Sequence, residues 1–346
     1  MIKNIKVDNF KCFESENLEI RPLTILTGTN SSGKSSLIQS ILLTGNRGSS
    51  SDLPNYIEGL GEFDDLKNRY TNPKEFKIEI TFTDDSTQAL SASKEQFKFQ
   101  KGPTKYLVYP SNLVYLNSNR ISINEINNTN NTFKTRYFGI DGRYIANYYE
   151  KNKIKPIESY LVANVLVPET LDAQVNYWLE IITEQSYEFS TSRPTNTLVL
   201  ASYKLDGLDF KPNNIGTGIS YVVAIVIAAL SSVKDNILII ENPEIHLHPR
   251  SQAMMGKFLS FIASKGIQVI IETHNDHIIN KIRYQVFKKE LSSNDVIIHY
   301  KEVKSPFEQI EITENGKFNN KDGENSFPQG FYDATLSEIF AINRGQ

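Results

Sequence analysis

Residues 28–36 read GTNSSGKSS: Gly28, four residues, Gly33, Lys34, Ser35. That spacing suits a backbone cradle for phosphate. The two glycines allow a turn tight enough for the amides around Asn30, Ser31, Ser32 and Ser36 to face phosphate oxygens. An apolar strand, LTIL, precedes the loop, and a helical pattern follows it from about Ser35 to Leu43, with Ile38, Ile41 and Leu42 on one face. The helix N-terminus adds the positive end of its dipole. Lys34 is placed to bridge the β- and γ-phosphates of a nucleoside triphosphate, and the Ser35 hydroxyl to hold Mg²⁺.

A phosphate loop of this kind requires a metal-anchoring acid at the end of another core strand. The run ILIIE, 237–241, supplies Glu241 in place of the commoner aspartate. Asn242 follows, where hydrolytic sites of this type usually carry a carboxylate. An amide cannot act as a general base, although it can orient a water. Glu244 lies two residues on. A second apolar strand ends in Glu272, Thr273 and His274, and residues 272 and 274 share one side of an extended chain. The carboxylates for proton transfer are therefore Glu244 and Glu272. His246 and His248, spaced by two in a polar turn before Pro249, fit no common zinc pattern.

These groups need a framework to hold them together. The chain has 346 residues, 39% hydrophobic and 22% charged, a normal balance for a globular protein with room for several domains. A net charge of −3 argues against a broadly basic nucleic-acid binder. A single cysteine, Cys12, excludes an internal disulfide and fits a reducing cytoplasm. The opening MIKNIKVDNFKCF has no signal-peptide core, and the longest apolar run, Tyr221–Leu230, is about half a bilayer span. A cytoplasmic chain without a membrane partner is expected. Residues 76–120 alternate as antiparallel strands do, and 142–187 carry helical signal. Turn-rich 45–54 and Asn-rich 124–134 read as loops. From about 215 the order is helix, strand, helix, strand, at 219–233, 236–241, 250–264 and 267–272, the α/β signature.

Gly28–Ser36, IIENPEIHLHP and IIETHNDHIIN resemble the ABC-type ATPase heads of the SMC, RecF and OLD class. The opening IKVDNFKCFES is similar to the early hairpin that holds the base in that class. YIEGLGEFDDL, YLNSNR, PNNIGTGISYVVAIV and SFPQGFYDATLSEIF extend the likeness, essentially end to end, to a bacterial AAA-type subfamily that ends in a domain of unknown function. The resemblance implies ATP with Mg²⁺ and a γ-phosphate contact for His274. It also implies a signature loop at 214–220, with Gly216, Thr217, Gly218 and Ser220 completing the nucleotide site of a second head. The usual serine position of that loop is Gly216 here.

The resemblance implies an α/β P-loop NTPase with an antiparallel β subdomain and an inserted mixed or helical lobe. The expected divisions are 1–100, 101–210, 211–300 and a tail at 301–346. Aromatics of the lobe, Tyr137, Phe138, Tyr144, Tyr148 and Trp178, are expected in its core. The stretch after the second strand is short for the Toprim nuclease domain of OLD proteins, and the tail acids Asp322, Glu324 and Asp333 are scattered, so no nuclease activity is expected. The implied function is slow or partner-stimulated ATP hydrolysis by a homodimer, or a higher oligomer, with ATP sandwiched between heads. Such a dimer would control an effector encoded nearby, in defence against phage or plasmids. The alternatives are a nucleotide-gated scaffold with little hydrolysis and a RecF-like DNA-repair ATPase.

Overall fold

Short hydrophobic runs without alternation belong to strands covered on both faces. In the computed structural model, which describes residues 1–45, 60–100, 107–129, 136–320, 327, 328, 331 and 332, such runs build a seven-stranded sheet. The first part of the chain forms β1 (Ile2–Phe10), β2 (Phe13–Glu19), β3 (Leu23–Gly28), α1 (Lys34–Thr44), α2 (Phe63–Leu66), β4 (Glu75–Phe82), β5 (Thr87–Ser93), β6 (Phe97–Gln100) and β7 (Leu113–Leu116). A middle part follows with β8 (Ile126–Asn128), α3 (Ile145–Asn152), α4 (Leu171–Thr183), β9 (Glu188–Ser192), β10 (Leu198–Leu205) and β11 (Leu208–Phe210). The last part contains α5 (Thr217–Leu230), β12 (Ile237–Glu241), α6 (Pro249–Ser264), β13 (Gln268–Glu272), α7 (Asp276–Phe287), β14 (Val296–Lys301), β15 (Glu308–Ile312) and β16 (Phe318–Asn320).

The large sheet runs β16-β15-β14-β3-β13-β12-β7. The strands from β14 to β7 are parallel, and β15 and β16 extend the edge antiparallel. Side chains of successive strand residues divide between two cores, as the period of two demands. Leu238, Ile240, Val269 and Ile271 pack with α5, α6 and α7, whereas Ile237, Ile239 and Ile270 pack on the other face with α1. In register, Glu241 lies beside Glu272, and Glu272 beside Leu26. The phosphate loop and both acidic strand ends therefore share one sheet edge, the carboxyl edge where open α/β sheets bind ligands.

A five-stranded antiparallel sheet, β2-β1-β4-β5-β6, covers α1. The expectation of antiparallel pairing through residue 120 fails at one place. Leu113–Leu116 pairs parallel with β12 in the large sheet, because all four residues are buried and none can face solvent. The middle part is mixed, as expected: β8 to β11 form a small sheet against α3 and α4. Phe138 and Trp178 are buried in its core, while Tyr137, Tyr144 and Tyr148 are half-buried. The Asn-rich stretch 124–134, expected to be a loop, instead carries β8 at Ile126–Asn128, whose backbone pairs with β10. Its remainder 130–134, the expected loop 46–54, residues 56–59 of the YIEGLGEFDDL segment, and Asp322, Glu324 and Asp333 with most of the tail motif lie outside the described residues. Among the described residues no helix is long and apolar enough to cross a membrane.

Candidate functional site

The β3–α1 loop lines a cleft of about 410 Å³ with Asn30, Ser31, Ser32, Gly33, Lys34, Ser35 and Ser36. Lys11 and Cys12 from the β1–β2 turn and Glu272 and His274 from the end of β13 close it. Gly28 is required by its backbone: its φ is 129°, and a side chain there would collide with the Lys301 carbonyl of β14. Lys34 is 3% exposed, and its ammonium sits at the cleft. It donates to the carbonyls of Thr29 (2.6 Å) and Gly28 (3.3 Å) and to Ser32 Oγ (3.4 Å). Burial pulls its pKa down, and neighbouring Glu272 opposes that pull. A buried cation beneath a ring of helix N-terminal amides suits a polyphosphate.

The carboxylates are arranged differently from the simplest reading. Ser35 Oγ donates to Glu272 (3.1 Å to Oε2), not to Glu241. Glu241 instead accepts from the Tyr115 hydroxyl (2.7 Å) and the Ser118 amide (3.0 Å). Burial raises the Glu272 carboxyl above the ordinary range, and adjacent Glu241 raises it further. Two acids in register, one on the phosphate-loop serine, are the donor set a hard divalent cation requires. Removing the like-charge strain has a measurable sign. Because the folded-state pKa of Glu272 is raised, wild-type stability falls as pH rises through that value, and Glu272→Gln escapes the loss. Glu272→Gln is expected to raise the Tm of the nucleotide-free protein at neutral pH by roughly 2–4 °C. The gap should close as pH falls towards the ordinary glutamate range, in thermal melts across about pH 5 to 8.

Glu244 is half-buried after β12, and its Oε1 accepts from the His274 backbone amide (3.4 Å). Burial pushes its carboxyl up, opposed by hydrogen bonds that include Thr273, the His274 amide and Asn242. Asn242, at φ 43°, is fixed by its backbone N–H, which donates to the Glu272 carbonyl (2.7 Å). The His274 ring has a pKa lowered by burial and then by Lys34, so the neutral imidazole is favoured. His246 and His248 belong to no group of three or more His, Cys, Asp or Glu side chains able to hold a metal ion among the described residues. His248 caps α6 by accepting from the Arg250 amide (3.4 Å).

The loop at 214–220 does not reach the cleft of its own chain. Gly216 and Thr217 are exposed at the start of α5. Gly218 is buried, and a side chain there would strike the His246 carbonyl, so this glycine serves close packing against the turn after β12. Ser220, counted among the nucleotide ligands from sequence, is 2% exposed and hydrogen-bonds Tyr203 (3.1 Å) inside the core.

Comparison with known families gives one match, to the model described as AAA ATPase domain, over residues 1–159 and 94–279. The chain belongs to the AAA ATPase domain family. No curated protein matches it. Among solved structures it is similar to the Smc head domain with an extended coiled coil bound to the C-terminal domain of ScpA derived from Pyrococcus furiosus. That match has a TM-score of 0.56 at 10% identity and covers 98% of this chain and 99% of the other. It is also similar to an SmcHead bound to the C-winged helix domain of ScpA, with a TM-score of 0.53 at 12% identity, covering 90% and 97%. At those identities the shared property is the fold.

The AAA ATPase domain family implies ATP with a divalent metal. The residues present fit that pair, with the phosphate cradle over Lys34 and oxygen donors on Ser35 and Glu272 in the cleft. Glu241, in register with Glu272 one strand further out, is held by Tyr115 and Ser118. This AAA ATPase domain also contains an important residue that sequence reasoning passed over. Arg120, 3% exposed, donates from Nη1 to the carbonyls of Asn117 (2.8 Å) and Glu241 (2.6 Å), and from Nη2 to that of Asn242 (2.7 Å). Its guanidinium lies over the Tyr221 ring of α5 at 5.5 Å, and Tyr221 in turn neighbours His246 at 5.6 Å. Burial pulls its pKa down to about 10. Arg120 thus ties the strand-end turn to the helix that begins with the exposed glycine loop. The signal was present in YLNSNR, an arginine closely following an apolar strand, but its partners are backbone carbonyls that no side-chain pattern reveals.

Proposed function

We propose that this AAA ATPase domain binds ATP with Mg²⁺, hydrolyses it slowly, and pairs head to head with a second copy when ATP is bound. The observation that carries the reading is the cleft itself, where buried Lys34 and Glu272 meet the exposed side chains of Ser35 and His274 in one space. When bound, Mg²⁺ would neutralise phosphate charge and fix the β- and γ-oxygens. Lys34 and the loop amides hold the phosphates, and neutral His274 donates or accepts a hydrogen bond at the terminal one. Glu244, held by the His274 amide and raised by burial, is the acceptor for the proton of the attacking water. The Asn242 side chain favours the ionised form of Glu244, which supports a role in orienting that carboxylate.

Dimerisation is supported by what one chain lacks. Gly216 and Thr217 are exposed and do not line their own cleft, as donors meant for another copy would. Control of a partner protein by the dimer is part of the same reading. A second reading, a nucleotide-gated scaffold with almost no turnover, is favoured by Asn242 standing where a carboxylate is usual.

Phosphate release by the purified protein with ATP and Mg²⁺, beside Glu244→Gln, separates the two. An ATPase with Glu244 as base loses turnover by about 10²- to 10⁴-fold in the variant, with ATP affinity kept. It also shifts from monomer to dimer on light scattering when Glu244→Gln traps ATP. Wild-type turnover no higher than background would leave the scaffold reading. Turnover equal in both and well above background would remove Glu244 from the chemistry.

A further inference from the structure

A second concavity lies far from the phosphate loop in sequence and is built on other elements. It has a volume of about 290 Å³ and opens between α4, the second half of α6 and the end of α7. Tyr177, Trp178 and Phe261 form an aromatic wall, and Lys257 and Lys265 stand at its sides. Lys265 Nζ lies 5.2 Å from the Phe261 ring centre. Along α7 the rim continues with Lys281 and Lys288, whose ammonium groups lie 5.3 and 5.8 Å from the ring of Tyr284. Tyr284 is 47% exposed, an aromatic left in water between two cations.

Charge on this face is unbalanced. None of Lys257, Lys265, Lys281 and Lys288 has a carboxylate within ion-pair reach among the described residues. The acid in the lining, Glu290, accepts from the Gln285 amide (3.0 Å). The chain as a whole carries −3, so this cluster runs against its overall sign. Two polar atoms in the walls are also unsatisfied. Trp178 is 2% and Gln285 3% exposed, and neither the indole N–H nor the Gln285 Oε1 has a hydrogen-bond partner among the described residues. Buried groups of that kind are rare and call for an explanation.

We propose that this groove docks an acidic segment of a partner protein, one apolar side chain entering against Trp178 and Phe261 and carboxylates meeting the lysine rim. The proposal gives a chemistry to the partner named above and does not depend on ATP turnover. A peptide suits the site better than nucleic acid. The hollow is small and apolar-walled, and its rim has lysines without the arginines that grip phosphate in bidentate fashion. The anchor-and-rim plan, an apolar side chain in a pocket ringed by charge, is how small protein interfaces obtain affinity and specificity together.

Trp178 is the only tryptophan of the chain, so its fluorescence reports on this groove directly. The test starts from a random twelve-residue display library selected on the full-length protein and counter-selected on Lys257→Glu/Lys265→Glu. Enriched sequences are expected to be acidic with at least one large apolar residue. A synthetic peptide of that consensus, made without tryptophan, should shift Trp178 emission on binding. Its affinity should fall at least about tenfold in the double variant and fall again when salt is raised. Phosphate release by Lys257→Glu/Lys265→Glu should equal wild type, which keeps failure of docking distinct from failure of the ATPase reading. No enrichment, enrichment without acidic bias, or binding unaffected by the lysine changes overturns the proposal. A dT₂₀ oligonucleotide that gives the same lysine-dependent shift and displaces the peptide would reassign the face to nucleic acid.

Discussion

Lys34→Ala is expected to bring phosphate release to background, a loss of at least about 10²- to 10³-fold. The ammonium is the cation at the floor of the cleft, fixed by the Thr29 and Gly28 carbonyls and Ser32 Oγ. No other buried cation lies among the lining residues. The fold should not suffer with the function. Burial depresses the Lys34 pKa, so the charged form is disfavoured in the nucleotide-free protein, and at neutral pH its removal leaves Tm unchanged or higher. Lys34→Arg is expected to fail as well, because a planar fork cannot replace a point charge aimed at three convergent acceptors. Phosphate release and thermal melts on the same preparations check both halves. A variant that is inactive because it is unfolded would contradict the argument as surely as an active one.

Arg120→Ala is the second large effect and combines stability with activity. Truncation leaves the carbonyls of Asn117, Glu241 and Asn242 without their donor at a buried turn, at about 1 kcal/mol each. Relief of the buried charge offsets part of this, so a net loss of about 2 kcal/mol is expected in urea unfolding. Turnover at saturating ATP should fall by more than tenfold, since Glu241 and Asn242 lose their fixed position. The KM for ATP should hold, because the phosphate loop is built on β3 and α1, not on this turn. Arg120→Lys should recover little of either, because one ammonium cannot span three carbonyls on two strand ends. Wild-type stability with normal turnover would remove Arg120 from the positioning role.

The parts of the site that were legible in sequence are contiguous. Gly28–Ser36 is a local loop whose purpose is written in its own spacing, and Glu241 and His274 announce themselves by ending apolar runs. The relations between runs were not legible. The bond from Ser35 to Glu272 follows from β13 lying next to β3, with β12 one place further out, and no window of sequence encodes that neighbour order. Ser220 sits in a glycine-rich loop start that suggests exposure, yet a helix beginning at Thr217 turns that hydroxyl inward to Tyr203. Leu113–Leu116 was assigned to the wrong sheet because a run of four buried residues carries no period to say which neighbours it has.

α6 begins at Pro249, directly after the turn held against Gly218, and ends at Ser264 beside Phe261 and Lys265. Sixteen residues of helix make a rod about 24 Å long. A rod of that length converts angle into displacement: a tilt of about 5° at its first turn moves its far end by about 2 Å. One end of the rod answers to the position of α5 and the strand-end turn, and the other forms the wall of the aromatic groove. The helix therefore joins two remote surfaces through one stiff element, whose first turn packs by the strand-end turn and whose last turn walls the groove.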